Sequence, residues 1–249
     1  MMRLKQADGC NKPKHVYDYG EELNSGFSLT RNPVFDEYGY LILKDFIDVS
    51  DLVELPTEER GLRYTDKGEL KEKLKVERQV AGSLARYNLS QKYSKISIEI
   101  KNKLQEIIGM KLHETYCFDR FYFVDNYLPY HLDREACEIS VTLHISTNTH
   151  KPWHIGIKSA KGDFQLANLH AGDAMVYKGI ERPHWRNPLE SRHSKRRQLW
   201  HKLIGKKDDT YYHQVFFHYV MDDGHYVHYA GDSQLTSEDE RQPNQYLID

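Results

Sequence analysis

The second half of the sequence is a succession of short strand-like runs separated by turns. After Gly109, β-branched and aromatic residues cluster in runs of strand length at 113–127, 138–146, 153–159, 163–169, 173–179 and 211–221. Turn sequences such as AKGD at 160–163 and HAGD at 170–173 lie between them. Short strands at this spacing are typical of an all-β barrel or sandwich. The sequence therefore predicts a β-rich core over residues 111–230.

The first half combines helical patterns with one early strand. Apolar residues recur at helical spacing from Ile100 to Ile108, and Gly109 follows as a stop signal. The charged stretch 50–85 is also compatible with helix. Near the start, a turn and an apolar run at 36–43 predict a strand. We therefore expect a helical layer up to about residue 110, ahead of the β-rich core.

The domain organisation follows from the absence of a linker between these two parts. We expect residues 1–30 to form a polar N-terminal arm and residues 231–249 to form a polar C-terminal extension. We expect the remainder, 31–230, to be a single domain.

The composition predicts a cytoplasmic protein without a membrane partner. A net charge of −2 argues against a dedicated nucleic-acid binder or a membrane-surface protein. The three cysteines, Cys10, Cys117 and Cys137, are odd in number and lack a framework spacing, which favours a reducing compartment. No apolar run approaches the length of a membrane span. The sequence leaves the oligomeric state open.

His131 and Asp133 stand one residue apart, just before the strand-like run 138–146. In extended backbone, residues i and i+2 point the same way, so both side chains can project from one edge of a strand. His184 begins a later extended segment and is the best third ligand. Two histidines and one carboxylate leave three coordination positions open, as in non-haem Fe(II) oxygenases. The alternative is a surface turn with a capping aspartate, and a histidine ordered by packing beside Trp185.

These motifs resemble those of the Fe(II)/2-oxoglutarate-dependent dioxygenases, in their prolyl-hydroxylase-like and phytanoyl-dioxygenase-like branches. The resemblance covers roughly residues 33–230. The matching parts are DEYGYLILKDFID at 36–48, HLD at 131–133, EISVTLHIS at 138–146, GDAMVYKG at 172–179 and His184 in RPHWR. The resemblance implies a mainly β fold with N-terminal helices, whose core is a double-stranded β-helix, a cupin-like jelly roll with iron at its mouth.

The resemblance also implies the chemistry. Fe(II) would be the metal, 2-oxoglutarate the co-substrate, O₂ the oxidant and ascorbate a candidate reductant. The family converts 2-oxoglutarate to succinate and CO₂ while oxidising a C–H bond. The retained Asp133 favours hydroxylation over halogenation, because halogenating relatives lack this carboxylate. The expected substrate is a protein residue, proline first, or a small molecule.

The contacts to 2-oxoglutarate are less regular. In such enzymes the far carboxylate usually meets an arginine or lysine on the last barrel strand, and the run 213–220 has neither. Arg186 lies two residues beyond His184, so in extended backbone it points into the same cavity, and its planar fork suits a carboxylate. The resemblance implies Tyr122, on the strand before the HLD motif, as a hydroxyl donor. Weaker candidates on the last strand are Gln214 and His218.

A basic insert at 189–209 separates His184 from that last strand. It carries Arg192, Lys195, Arg196, Arg197, Lys202, Lys206 and Lys207. We expect a solvated loop. The alternative is a lid or a docking surface for an acidic or nucleic-acid partner, with Trp200 available for stacking. For the whole chain, the alternative to an enzyme is a non-catalytic cupin-like barrel that binds a ligand or has a structural role.

Overall fold

The computed structural model describes residues 30–57, 62–64, 70–73, 79–89 and 91–232, with backbone alone at 62–64 and 70–73. Cys10, almost all of the predicted polar arm and almost all of the C-terminal extension lie outside the described residues. The helices are α1 (Pro33–Tyr38), α2 (Ser94–Ile108) and α3 (Lys195–Leu203). The strands are β1 (Tyr40–Leu43), β2 (Leu62–Tyr64), β3 (Leu70–Lys73), β4 (Leu84–Tyr87), β5 (Leu112–Phe123), β6 (Leu128–His131), β7 (Ile139–Thr147), β8 (Ile155–Lys158), β9 (Phe164–Ala167), β10 (Ala174–Tyr177), β11 (His184–Arg186) and β12 (Tyr211–Met221).

Within the described residues, the strands form two sheets that enclose a barrel. The large sheet has the order β1-β10-β7-β12-β5-β4-β2-β3, and the small sheet has the order β6-β11-β8-β9. From β5 to β12 the chain passes repeatedly between the two sheets, and the pairs of neighbouring strands are antiparallel. This is the connectivity of a jelly roll, so the predicted fold class is confirmed.

The outer face of the large sheet packs against α2. Ile100, Leu104 and Ile108 lie at helical spacing and are fully buried. They share one apolar cluster with Val215 and Phe217 of β12. Gly109 then ends the helix in the left-handed conformation, with φ at 68°. Its N–H donates to the carbonyl of Gln105. The predicted helix is confirmed.

The inner face of the large sheet lines the barrel. Tyr212 and Phe216 alternate along β12 with the residues that face α2, and they pack with Tyr122 of β5 and Trp153. Gln214 lies between them on the same face and is fully buried. The interior of the barrel therefore carries both aromatic and polar side chains.

The two ends of the barrel differ. At one, the His131 end, β6 finishes and β7 and β11 begin; at the other, the Tyr211 end, β5 and β7 finish and β12 begins. The register of β12 and β5 shows that these are opposite ends of the barrel, because β12 starts opposite Phe123 and finishes opposite Leu112.

Among the described residues, the helices are too short or too polar to cross a membrane.

Two local expectations were wrong. The stretch 50–85, compatible with helix in sequence, has only a short 3-10 helix at Ser50–Leu52 among its described residues. It also contributes β2, β3 and the start of β4, which pairs with β5 and buries Leu84 and Ala85 completely. Sheet pairing and burial override the local preference there. The basic insert contains α3 rather than only a loop, since the Ser194 hydroxyl caps the helix by accepting from the N–H of Arg197.

Gly156 of β8 gives a test of this packing. It lies opposite Trp185 of β11, and a Cβ added to it would overlap the indole ring. Gly156→Ala should lower the free energy of unfolding by about 1–3 kcal/mol, the usual cost of overpacking. Urea denaturation measures this. In a Trp185→Phe background the same change should cost less, because the smaller ring leaves space. An equal cost in both backgrounds would contradict the assigned contact.

Candidate metal and co-substrate site

Sheet pairing brings the two predicted histidine ligands together. β6 and β11 are neighbours in the small sheet, and His131 lies directly opposite His184. Cross-strand neighbours on one face are close enough for their side chains to interact. The two imidazole centroids are 4.3 Å apart, and both side chains are buried. Residues distant in sequence thus meet at the His131 end of the barrel.

Backbone carbonyls fix the tautomer of both rings. The Nδ1–H of His131 donates to the carbonyl of Pro129 at 2.8 Å, and that of His184 donates to the carbonyl of Arg182 at 3.1 Å. Each Nε2 therefore keeps its lone pair. The two Nε2 atoms lie 3.5 and 3.6 Å from Oδ1 of Asp133. The ligand-bearing atoms of all three predicted residues converge.

Asp133 is held by its own neighbours. Its backbone N–H donates to the carbonyl of Gly179 at 2.9 Å, and the Ser140 hydroxyl donates to Oδ2 at 2.8 Å. A Cβ on Gly179 would overlap Oδ2 of Asp133 and Oγ of Ser140, so a glycine is required there. These contacts occupy Oδ2 and leave Oδ1 facing the histidines.

The electrostatics of the site favour the metal-binding forms. Burial first, and the neighbouring His131 second, lower the pKa of His184 to about 4. Burial alone would raise the pKa of Asp133, but His184 and His131 hold that pKa well below its usual range. At neutral pH His184 is therefore a neutral imidazole and Asp133 a carboxylate, the states that bind metal ions.

The donor set fits a divalent transition metal. Ligand atoms of the three residues all lie within 4.8 Å of one another. Two imidazole nitrogens and one carboxylate oxygen are the facial donors of non-haem Fe(II) sites. A second buried carboxylate, Asp119, also approaches a histidine, but Arg86 and Tyr93 already donate to it. Asp119 is thus the centre of an ion-pair network.

Arg186 is a fully buried cation inside the same barrel. Its Nη1 donates to the carbonyl of Trp153 at 2.6 Å, its Nη2 has no hydrogen-bond partner, and its side chain is almost inaccessible. The guanidinium lies over the rings of Trp153 and Tyr212, with its Cζ at 4.3 and 5.2 Å from their centroids. No carboxylate in the described part of the chain pairs with it. Burial lowers its pKa. A buried charge without a counter-ion is costly, so this position is suited to an anion.

Tyr122 packs against Trp153, the residue whose ring lies under the Arg186 guanidinium. It is fully buried, its ring centroid is 4.9 Å from that of Trp153, and its hydroxyl has no hydrogen-bond partner. Buried polar atoms are normally satisfied. The described inner faces of β7 and β12 add further unsatisfied atoms, which are Thr142 Oγ1, both amide atoms of Gln214, and His218 Nε2. Together they make the barrel interior suited to a polar ligand.

Four residues near the metal ligands were missed in the sequence. Tyr177 donates its hydroxyl to Nε2 of His184, and Gln79 donates its amide to Nε2 of His131, both at 3.3 Å. The other two are Ser140 and Gly179, described above. Tyr177 and Gly179 lie in the quoted GDAMVYKG motif, which was a usable signal. Gln79 comes from the stretch expected to be helical, and nothing local marked it.

The described contacts of the basic insert lie where β12 begins. The insert leaves β11 and enters β12 at the Tyr211 end, where Asn148 contacts both Asp209 and Tyr211. Arg192 pairs with Asp209 there. These contacts attach the insert at the Tyr211 end. Its predicted role as a lid or as a docking surface stays a prediction.

Comparisons with known proteins agree on the fold. No protein-family profile matches the chain, and no curated protein matches its sequence. A prolyl hydroxylase from Trichoplax adhaerens, in complex with a peptide fragment of the hypoxia inducible factor oxygen degradation domain, matches at 10% identity and TM-score 0.50 over 82% of this chain and 90% of that chain. SnoN, a non-heme alpha-ketoglutarate-dependent epimerase from nogalamycin biosynthesis, matches at 10% identity and TM-score 0.50 over 75% of this chain and 79% of that chain. The predicted likeness to 2-oxoglutarate-dependent oxygenases is thus confirmed at the level of the fold.

The hydrogen bond from Ser140 to Asp133 can be tested through metal affinity. Ser140→Ala should weaken binding of Co(II), a spectroscopic substitute for Fe(II), by about 10- to 100-fold, as is typical when a partner of a metal ligand is removed. Visible absorption during titration measures it. Ser146→Ala is the matched control, since this serine is also buried on β7 but its hydroxyl has no partner. Equal affinities in the two variants would contradict the role of Ser140.

Proposed function

We propose that the protein is an Fe(II)- and 2-oxoglutarate-dependent oxygenase that hydroxylates a C–H bond with O₂. The observation that carries the proposal is Arg186, a buried guanidinium with an unsatisfied Nη2 and no carboxylate partner among the described residues. A purely structural barrel gains nothing from such a charge, because desolvation without a counter-ion is destabilising. A dicarboxylate co-substrate gives the charge a partner.

The spacing between His184 and Arg186 supports this proposal. Arg186 follows His184 by two residues along β11, about 6–7 Å at roughly 3.3 Å per residue, comparable with the length of a five-carbon diacid. The far carboxylate would accept from Nη2 of Arg186 and from the hydroxyl of Tyr122. The rings of Trp153 and Tyr212 flank the guanidinium and exclude water from it.

His131, Asp133 and His184 would hold the iron through two imidazole nitrogens and one carboxylate oxygen. Bound there, Fe(II) supplies the chemistry that couples decarboxylation of 2-oxoglutarate to oxidation of a C–H bond. The chain contributes neutral imidazole at His184 through burial, an oriented carboxylate through Ser140, and fixed ring tautomers through two backbone carbonyls.

The substrate is proposed by class only. A protein residue, proline first, agrees with the sequence resemblance, and the Trichoplax adhaerens enzyme is titled as a prolyl hydroxylase with a bound peptide. A small molecule is the second class. SnoN, an epimerase, indicates that this fold also serves reactions other than hydroxylation. Retention of Asp133 favours hydroxylation over halogenation.

The activity can be tested without knowing the substrate. Incubation with Fe(II), 2-oxoglutarate, O₂ and ascorbate should release succinate through uncoupled turnover. Asp133→Ala should abolish this release while thermal unfolding stays nearly unchanged, because the carboxylate lies at the mouth of the barrel rather than in its apolar core. Succinate is quantified by chromatography. A wild-type protein that binds iron but forms no succinate would support the non-catalytic cupin-like barrel instead, and full activity in Asp133→Ala would overturn the ligand assignment.

Arg186→Met tests the co-substrate contact. Loss of a buried charge pair costs about 3–5 kcal/mol, so the apparent KM for 2-oxoglutarate should rise by roughly two to three orders of magnitude at about 1.4 kcal/mol per tenfold. Co(II) affinity should stay constant. Arg186→Lys should recover part of the loss, since a point charge replaces a planar fork. Arg196→Met, on the exposed surface of α3, is the control. An unchanged KM in Arg186→Met would assign the anchor to another residue.

A further inference from the structure

Helix α3 carries large apolar side chains on its solvent-facing side. Leu199, Trp200, Leu203 and Ile204 are 61%, 55%, 76% and 52% exposed, and we call this set the α3 apolar face. Leu199 and Leu203 are four residues apart, as are Trp200 and Ile204, and Trp200 and Leu203 are three apart. Side chains at these spacings are neighbours on a helix surface, so the four form one continuous patch. Contiguous exposed apolar surface of this kind marks an interaction site.

The opposite side of α3 packs against His193, an earlier residue of the insert that bonds to Asp209 just before β12. His201 is buried, and its ring centroid lies 4.9 Å from that of His193. Gln198 donates its amide to the carbonyl of His193 at 2.8 Å. The helix is thus fastened by these two residues, and the α3 apolar face points away from the protein.

Cations surround the α3 apolar face. The segment 191–207 contains seven lysines and arginines and no aspartate or glutamate, and these are Arg192, Lys195, Arg196, Arg197, Lys202, Lys206 and Lys207. Arg192 pairs with Asp209, and the remaining cations are exposed. The chain as a whole has a net charge of −2, so this positive segment is a local feature.

We propose that α3 docks the protein on an anionic phospholipid surface. A helix with leucine, isoleucine and tryptophan on one face and flanking lysines and arginines is suited to lie in a lipid headgroup region. There the apolar residues enter the acyl boundary while the cations contact phosphate and carboxylate groups. Docking is peripheral and uses only the surface of α3.

Other occupants use only part of this surface. Nucleic acid would pair with the cations and could stack on Trp200, but it would leave Leu203 and Ile204, at 76% and 52% exposure, without a partner. A second copy of the chain would cover the apolar residues but would bring two positive segments together, which like-charge repulsion opposes.

The location of α3 sets the orientation of the docked protein. Because α3 lies at the Tyr211 end, docking leaves the His131 end facing away from the lipid. The mouth of the barrel would then remain open to a water-soluble substrate.

Tryptophan fluorescence gives a local probe of docking. Of the three tryptophans in the chain, Trp153 and Trp185 are 5% and 2% exposed, whereas Trp200 is 55% exposed. Acrylamide quenching therefore reports mainly on Trp200. Full-length protein mixed with phosphatidylcholine vesicles containing about one third phosphatidylserine, an anionic lipid, should sediment with them and show reduced quenching. With vesicles of phosphatidylcholine alone, the protein should not sediment and the acrylamide quenching should stay unchanged.

Matched variants separate the contribution of the apolar side chains from that of the cations. Leu199→Ser with Leu203→Ser should abolish co-sedimentation, and Val53→Ser with Leu55→Ser, which removes two exposed apolar side chains elsewhere, should not. Each of Lys195→Gln, Arg196→Gln and Lys202→Gln should weaken vesicle binding by about fivefold, the factor equivalent to one surface cation. Succinate release should be equal in all these variants.

Three results would overturn the proposal. The first is equal binding to neutral and anionic vesicles or to neither. The second is an oligonucleotide that competes fully with vesicles and protects Trp200, which would indicate nucleic acid. The third is concentration-dependent dimerisation that is lost in the Leu199→Ser and Leu203→Ser variant, which would indicate a second copy of the chain.

Discussion

Strand β12 is hydrogen-bonded along both edges and buried on both faces, and the rest of the barrel takes its position from it. Its edges fix the registers of β5 and β7. One face, through Val215 and Phe217, holds α2, and the other, through Phe216 and Gln214, lines the interior. A strand in this situation cannot slip by one residue, because every side chain would then exchange faces. Such a fixed register is what allows polar groups to be placed accurately inside.

The barrel interior conflicts with the usual rules of stability. A wholly apolar core would give a higher free energy of unfolding than one that contains Arg186, Tyr122 and Gln214 with unsatisfied atoms. Local violations of this kind are expected where a protein has a function to perform. The aromatic residues around Arg186 do not neutralise it, yet they keep water away and hold it in one orientation. The cost in stability is thus concentrated where a ligand can offset it.

Much of this arrangement could be predicted from the sequence, and the limits have physical causes. The strands after Gly109, helix α2 and the set His131, Asp133 and His184 follow from local periodicity and a short motif. The strands within 50–85 could not, because their pairing with one another, and of β4 with β5, outweighs a charged local sequence. Gln79 was missed for the same reason, as its contact with His131 exists only after that pairing. The helix α3 does have a local sequence signal, because Ser194 is a typical N-cap residue ahead of the charged run.

The pairing of His131 with His184 across adjacent strands has an evolutionary consequence. Their separation is set by the spacing between two hydrogen-bonded strands, and no connecting loop contributes to it. Chain length at the Tyr211 end can therefore change without moving either ring. The insert carrying α3 occupies this permissive position, between the strand that supplies a histidine and the strand that completes the large sheet. New surfaces can be acquired or lost there by insertion and deletion, while the two histidines at the opposite end keep their relative position.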